Sequence, residues 1–217
     1  RASIEVYNER RQWVEKVYQF RRDQPWKTPS SEIYLLMRAG EVIPPEEHIQ
    51  LMKDYLAAVE LEERRMKDNT RVVLNGSFCE QPPLGLIKSI ELAGCYIVDD
   101  DYIMANRMIT TDIATEGDPL ENIAYAFLTD SMPFPSKFEP SEEEKGLYLA
   151  DYVRKAGAEG VIFAAASFCD PALLDQPLLH HVLDDQKIPY IAFQFAENSG
   201  QMQPIREQAG TFADSIK

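Results

Sequence analysis

The sequence predicts an α/β protein: a doubly wound, mostly parallel sheet of at least four strands, preceded by a helical arm. Three observations carry this. Four short apolar runs, Val72-Val73-Leu74, Cys95-Tyr96-Ile97-Val98, Val161-Ile162-Phe163-Ala164-Ala165-Ala166 and Pro189-Tyr190-Ile191-Ala192-Phe193, are separated by helical stretches. The runs are continuous rather than alternating, the mark of strands covered on both faces. The segments between them are long enough for right-handed crossovers, which wind successive strands into one parallel sheet.

The amino-terminal third carries a helical period. Ile4, Tyr7, Arg11, Val14, Val17 and Tyr18 recur at helical spacing up to Arg22, and Pro25 stops the pattern. Ser30 or Ser31 caps a short helix through Met37, which Gly40 ends. Pro44 and Pro45 suit a first helical turn, and Met52, Tyr55, Leu56, Val59 and Met66 make one apolar stripe before Asn69. Residues 1–68 thus form a helical arm, or connector, whose apolar face requires a surface to cover it.

At Arg71 the period changes, and residues 71–217 form the α/β domain. The first strand ends at Asn75-Gly76; Pro82-Pro83 opens a helix that Gly94 closes; the second strand runs into Asp99-Asp100-Asp101. A long helical and irregular stretch follows, with turn signals at Gly117-Asp118-Pro119 and over residues 133–140. Then come a helix over 142–156, the third strand, a helix over 171–185, the fourth strand and a last helix.

The bulk numbers limit the function. With 217 residues, 45% of them hydrophobic, the chain has room for one large domain or one and a half. A net charge of -14 argues against nucleic acid or an anionic membrane as partner. Residues 1–38 run against this trend, with eight basic side chains to five acidic ones, and offer an anionic partner a place to dock or simply a solvated helix face. No apolar stretch is long enough to span a bilayer and no signal segment opens the chain, which points to the cytoplasm. Three cysteines do not make a disulfide framework, so thiols or metal ligands are expected. The chain opens at Arg1 and closes at Lys217 inside a helical pattern, as expected for a piece of a longer polypeptide.

In a doubly wound sheet, ligands bind beyond the carboxyl ends of the strands. Two cysteines fall there. Ser77-Phe78-Cys79-Glu80 follows the first strand and Ser167-Phe168-Cys169-Asp170 the third, each with a proline-started helix behind it. A thiol just before a helix N-terminus feels the positive end of the dipole, which favours the thiolate that attacks or binds metal. If the two strands are neighbours, both thiols face one crevice. Inert packing explains a lone cysteine equally well, and only the repeated placement raises the functional reading beside it. Cys95 opens the second strand at the opposite edge and reads as a small buried hydrophobe. Magnesium binding at Asp99, Asp100 and Asp101 has a simpler rival, a strand end followed by helix-capping carboxylates. His180 and His181 are adjacent on one helix and cannot share a face, which argues against a joint metal role. Glu80, Gln201 and Arg206 are the candidates for contact with a substrate or anion, with helix capping the alternative for the segment from Gly200 to Arg206. No dinucleotide, Walker or nucleophile-elbow sequence is present.

Gly160-Val161-Ile162-Phe163, Ser167-Phe168-Cys169-Asp170-Pro171, Ile188-Pro189-Tyr190-Ile191 and Gly200-Gln201 with Arg206 resemble the carboxyl-terminal domain of the benzoyl-CoA reductase and 2-hydroxyacyl-CoA dehydratase family; Val98-Asp99-Asp100 with Arg107 resembles its second-strand signature. The likeness runs from about Arg71 to the end and is nearest the reductase branch. It implies an oxidoreductase in which two related subunits hold iron-sulfur clusters near a bound acyl-CoA, while a separate ATP-hydrolysing activator supplies electrons one at a time. Reductases of the family reduce the ring of benzoyl-CoA to a cyclic diene; dehydratases expel a 2-hydroxyl through a ketyl radical. The resemblance also implies a [4Fe-4S] cluster held by three cysteines, with Cys169 matching one and the other two in an amino-terminal domain outside this chain; Cys79, singled out by its loop placement alone, is the weaker candidate. By itself the chain is then expected to be cluster-free and inactive. A non-catalytic scaffold of the same fold and a flavodoxin-like nucleotide binder are the competing readings.

Overall fold

The computed structural model describes residues 1–76, 82–102, 108–132, 145–196 and 202–217. The chain divides into two compact units: residues 1–28, 32–65 and 103–132 form one, and residues 29–31, 66–102 and 133–217 the other. No helix among the described residues is long and apolar enough to cross a membrane.

The first unit is helical. It holds α1 (Ala2–Asp23), most of α2 (Ser30–Ala39), α3 (Pro45–Leu61) and α5 (Pro119–Thr129), while α4 (Leu84–Leu92) belongs to the second unit. Val14, Val17 and Tyr18 of α1, Ile33, Leu36 and Met37 of α2, and Ile49 and Met52 of α3 make one buried cluster, so these helices cover one another's apolar stripes. Two expected members of the stripes are exposed instead. Tyr7 is 40% exposed, and Met66 lies beyond the end of α3 and is 63% exposed. The turn signal at Gly117-Asp118-Pro119 works as the sequence suggests: Asp118 is the N-cap of α5 and accepts from the backbone N–H groups of Leu120 and Glu121, with Pro119 in the first turn.

The second unit is the predicted sheet. Strands β1 (Thr70–Asn75), β2 (Cys95–Asp100), β3 (Gly160–Ala166) and β4 (Tyr190–Phe195) are all parallel, in the order β2-β1-β3-β4. Alternation sends Val73, Val161 and Phe163 to one face, where they pack on Leu149 and Val153 of α6 (Leu147–Ala156) and on Leu179 and Leu183 of α7 (Asp170–Asp185). The other face is covered by α4 and α8 (Met202–Ile216), through Leu86, Ile87, Ile90, Ile205, Ala209 and Phe212, all buried. Arg71 fastens the amino edge of the sheet by donating to the last carbonyls of α6, at 3.0 Å to Gly157 and 2.5 Å to Ala156.

One sequence expectation is corrected here. β2 does not stop at Val98: Asp99 and Asp100 continue the strand, fully buried, paired with Val73 and Leu74 across a bulge. They are strand residues and cap no helix among the described residues. Gly160, where β3 begins, is needed for close approach. A Cβ there would come within 2.9 Å of the Pro189 carbonyl oxygen, of Phe212 and of Ile216. The two side chains can yield, but the backbone oxygen, just ahead of β4, is held by the Val161 N–H. Gly160→Ala is therefore expected to cost about 1–3 kcal/mol, read as a lowered midpoint in chemical unfolding, with no loss expected for the same change at Gly85, where a Cβ meets nothing.

Candidate functional site

Because all four strands are parallel, their carboxyl ends lie at one edge. In the order β2-β1-β3-β4 the chain leaves β1 in one direction for β2 and then crosses to β3 on the other side, so the crevice at the switch point opens between the ends of β1 and β3. The two loops of the form Ser-Phe-Cys-acid leave these two strands, which are neighbours with Asn75 opposite Phe163.

Cys169 closes the β3 loop. It is the N-cap residue of α7, its N–H donates to the Ala166 carbonyl at 3.0 Å, and its own carbonyl receives the Leu173 N–H. Its side chain is buried, 2% exposed, and Asp170 and Pro171 fill the first turn behind it. The residue before it, Phe168, stands at φ 68 and is 93% exposed. A left-handed phenylalanine carries backbone strain of about 1–2 kcal/mol, and here it belongs to the tight turn that sets Cys169 at the head of the helix. Cys79 and Glu80, on the β1 loop, and Gln201, before α8, lie outside the described residues.

Cys95 is elsewhere. It opens β2 at the amino edge, fully buried, and burial together with nearby carboxylates, Asp214 foremost, pushes its thiol up to about 12. That is the inert buried cysteine the sequence suggests. Arg206 lies in the second turn of α8, in a groove between α4 and α8 that also takes in Ser89, Gln203 and Glu207, and reaches the Leu92 carbonyl at 3.5 Å. The structure does not bring it to Cys169. Nor do the histidines act together: His180 stacks on Tyr190 at 4.3 Å and meets the edge of Phe163, while exposed His181 sits 3.7 Å from Asp185.

Sequence reasoning missed a polar cluster on the β1 side of the crevice. Asp101, half-buried just past β2, accepts from the Gly76 N–H at 2.7 Å on one oxygen, and from the Asn75 amide and the Tyr148 hydroxyl, the latter at 2.8 Å, on the other. Desolvation raises its carboxyl to about 6 despite these three donors, with the Asp100 charge adding to the rise. Tyr148, in the first turn of α6, is held well above the ordinary phenol range by burial and by Asp101. Only the three consecutive aspartates hinted at this, and Tyr148 gave no signal.

The 2-hydroxyglutaryl-CoA dehydratase D-component family matches residues 1–216, nearly the whole chain. The chain belongs to this family. Among its relatives, a benzoyl-CoA reductase subunit of Thauera aromatica is 61% identical over all 217 residues. The beta subunit of lactoyl-CoA dehydratase from Anaerotignum propionicum is 23% identical over 216 residues, and that of (R)-2-hydroxyglutaryl-CoA dehydratase from Acidaminococcus fermentans 24% over 221. The chain spans 56% of the length of each of these relatives.

An iron-sulfur cluster takes thiolate ligands on nearly every iron. Among the described residues no group of three or more His, Cys, Asp and Glu side chains could hold a metal ion, and Cys169 is the one described thiol at the carboxyl edge. At the carboxyl edge the described residues thus place one thiol, that of Cys169, at a helix N-terminus.

Proposed function

We propose that this chain is the carboxyl-terminal part of an iron-sulfur subunit of an ATP-dependent benzoyl-CoA reductase, a cytoplasmic complex that adds two electrons and two protons to the ring of benzoyl-CoA and leaves a cyclohexadiene carbonyl-CoA. The observation that carries this reading is the 61% identity to the Thauera aromatica benzoyl-CoA reductase protein along the whole chain, against 23–24% to the dehydratase proteins. In this reading residues 1–68 connect an amino-terminal cluster domain to residues 71–217, of which 103–132 group with the helical unit and the rest form the α/β domain. Cys169, with Cys79 as the weaker candidate, contributes to a [4Fe-4S] cluster completed by thiols outside this chain. The cluster, when bound, supplies electrons one at a time to the acyl group. The partners are a related cluster-bearing subunit, an ATP-hydrolysing electron activator and the acyl-CoA itself, with Glu80, Gln201 and Arg206 as candidate contacts for substrate or anion.

The match to a dehydratase family supports a second reading, radical elimination of water from a 2-hydroxyacyl-CoA. One anaerobic assay separates the two. The complete complex, given ATP and its activator, is expected to convert benzoyl-CoA to a diene thioester and to leave 2-hydroxyacyl-CoA unchanged. Elimination from 2-hydroxyacyl-CoA with no ring reduction would overturn the reductase reading.

A further inference from the structure

We propose that Asp101, oriented by Tyr148, is the proton donor for reduction in the crevice between β1 and β3, an inference that rests on the reading just given and extends it. Electrons added to an aromatic thioester create negative charge on carbon, and the reaction stops unless an acid stands at the same place.

Three features of the polar cluster meet that need. Its position is the first: through Gly76 and Asn75, Asp101 is bonded to the tip of β1, and β1 pairs with β3, about 5 Å across in the sheet, whose following loop leads to Cys169. Chemistry is the second. A carboxyl raised to about 6 keeps a fraction of its protons near neutral pH, whereas one at its usual value has given them up. The third is access, because Asp101 is only half-buried and so open to reprotonation from water. The described groups around it have settled roles. Asp100 is the next residue and pushes the carboxyl up. Tyr148 donates to it, with Tyr152 edge-on to Tyr148 at 5.8 Å, and Asp175, which bears on Tyr148, is paired with Lys145 at 2.6 Å.

The step balances as follows. The activator delivers one electron to the acyl ring. The Asp101 O–H bond breaks as a C–H bond forms on the reduced ring, the electron pair staying on the carboxylate. A second electron and a solvent proton complete the addition, and water returns the proton to Asp101.

A bare structural role for Asp101, tying β1 to β2, predicts different behaviour, and two measurements separate them. In the complete complex, Asp101→Asn is expected to lower turnover by about 10²-fold or more, with iron content and substrate affinity at wild-type values and the fold retained. Asp101→Glu is expected to restore part of the rate and to displace the alkaline limb of the pH profile, which for wild type falls as pH rises above about 6. Infrared titration of the unmodified chain should show a carboxyl group ionising near that pH, missing in Asp101→Asn. Unchanged turnover in Asp101→Asn, or a loss accompanied by loss of iron or of fold, overturns the proposal, as does a Glu variant with an unmoved profile. A wild-type complex inactive towards every acyl-CoA overturns the proposed function and this donor role together, so the two failures are told apart by the wild-type control.

Discussion

Changing Cys169 to Ser in the complete complex is expected to remove cluster iron and lower acyl-CoA reduction by more than about 10²-fold, while leaving the fold intact. The two halves of this expectation come from the same position. Cys169 is the N-cap of α7, yet its side chain makes no capping hydrogen bond. Serine is among the best residues at that place, because its hydroxyl can accept a backbone N–H of the first turn, worth about 1 kcal/mol. That gain offsets the cost of setting a hydroxyl where a thiol was buried. Stability should therefore move by less than about 1 kcal/mol, while the proposed metal ligand is exchanged for a poor one. Loss of a mere supporting group typically costs 10–100-fold in metal affinity or activity, so a larger effect distinguishes a ligand. Iron analysis, the visible absorbance shoulder and a thermal melt on one preparation measure all three. Cys95→Ser is the control, since that thiol lies at the far edge of the sheet and should leave iron unchanged. If Cys169→Ser keeps its iron and its turnover, Cys169 is a packing residue and the redox reading loses its only described ligand.

Why the site was only half legible follows from the kinds of signal its residues give. The strands were readable because residues such as Val161, Ile162 and Phe163 form an unbroken apolar run that only a doubly covered strand explains. The loop positions of the cysteines followed from those strands. Asp99, Asp100 and Asp101 read as a strand end because aspartate is a poor strand former, but pairing with β1 and burial overrode that preference for the first two. The third became an acceptor for three donors that are distant in sequence, and no local pattern announces such convergence. Phe168 was opaque for another reason. Phenylalanine rarely adopts a left-handed backbone, and only the assembled turn before α7 requires it. The same limit applies to Arg10, which on the helical period alone is one more charged residue of α1.

In the structure Arg10 is 4% exposed and is expected to carry much of the first unit's stability. Its Nε donates to His48 Nδ1 at 2.9 Å and its terminal nitrogen to the Gly40 carbonyl at 2.6 Å, while the far nitrogen of His48 lies 2.9 Å from the Leu36 carbonyl. This fixes the histidine. Nδ1 must be the acceptor, so Nε2 carries the hydrogen and the ring is neutral. Burial accordingly lowers its pKa, and the neighbouring guanidinium adds to the effect. Removing Arg10 with Arg10→Met would leave Nδ1 and the Gly40 oxygen buried without donors, at a cost of about 3 kcal/mol. The pH dependence has a definite sign. A histidine whose folded pKa is lowered binds its proton more readily when unfolded, so its contribution is complete above the unfolded value near 6.5 and is lost as pH falls below it. The slope is at most about 1.4 kcal/mol per pH unit, the value for one proton. Asp101 acts in the opposite sense: with its carboxyl raised to about 6, stability is lost as pH rises through the interval between the ordinary carboxylate range and 6. The two must be separated by comparison. Stability measured by urea unfolding across about pH 5 to 7 for wild type and for His48→Gln should differ by an amount that shrinks as pH falls. A constant difference would mean that His48 is not held neutral, and that the Arg10 hydrogen bond to its ring is not the one the fold depends on.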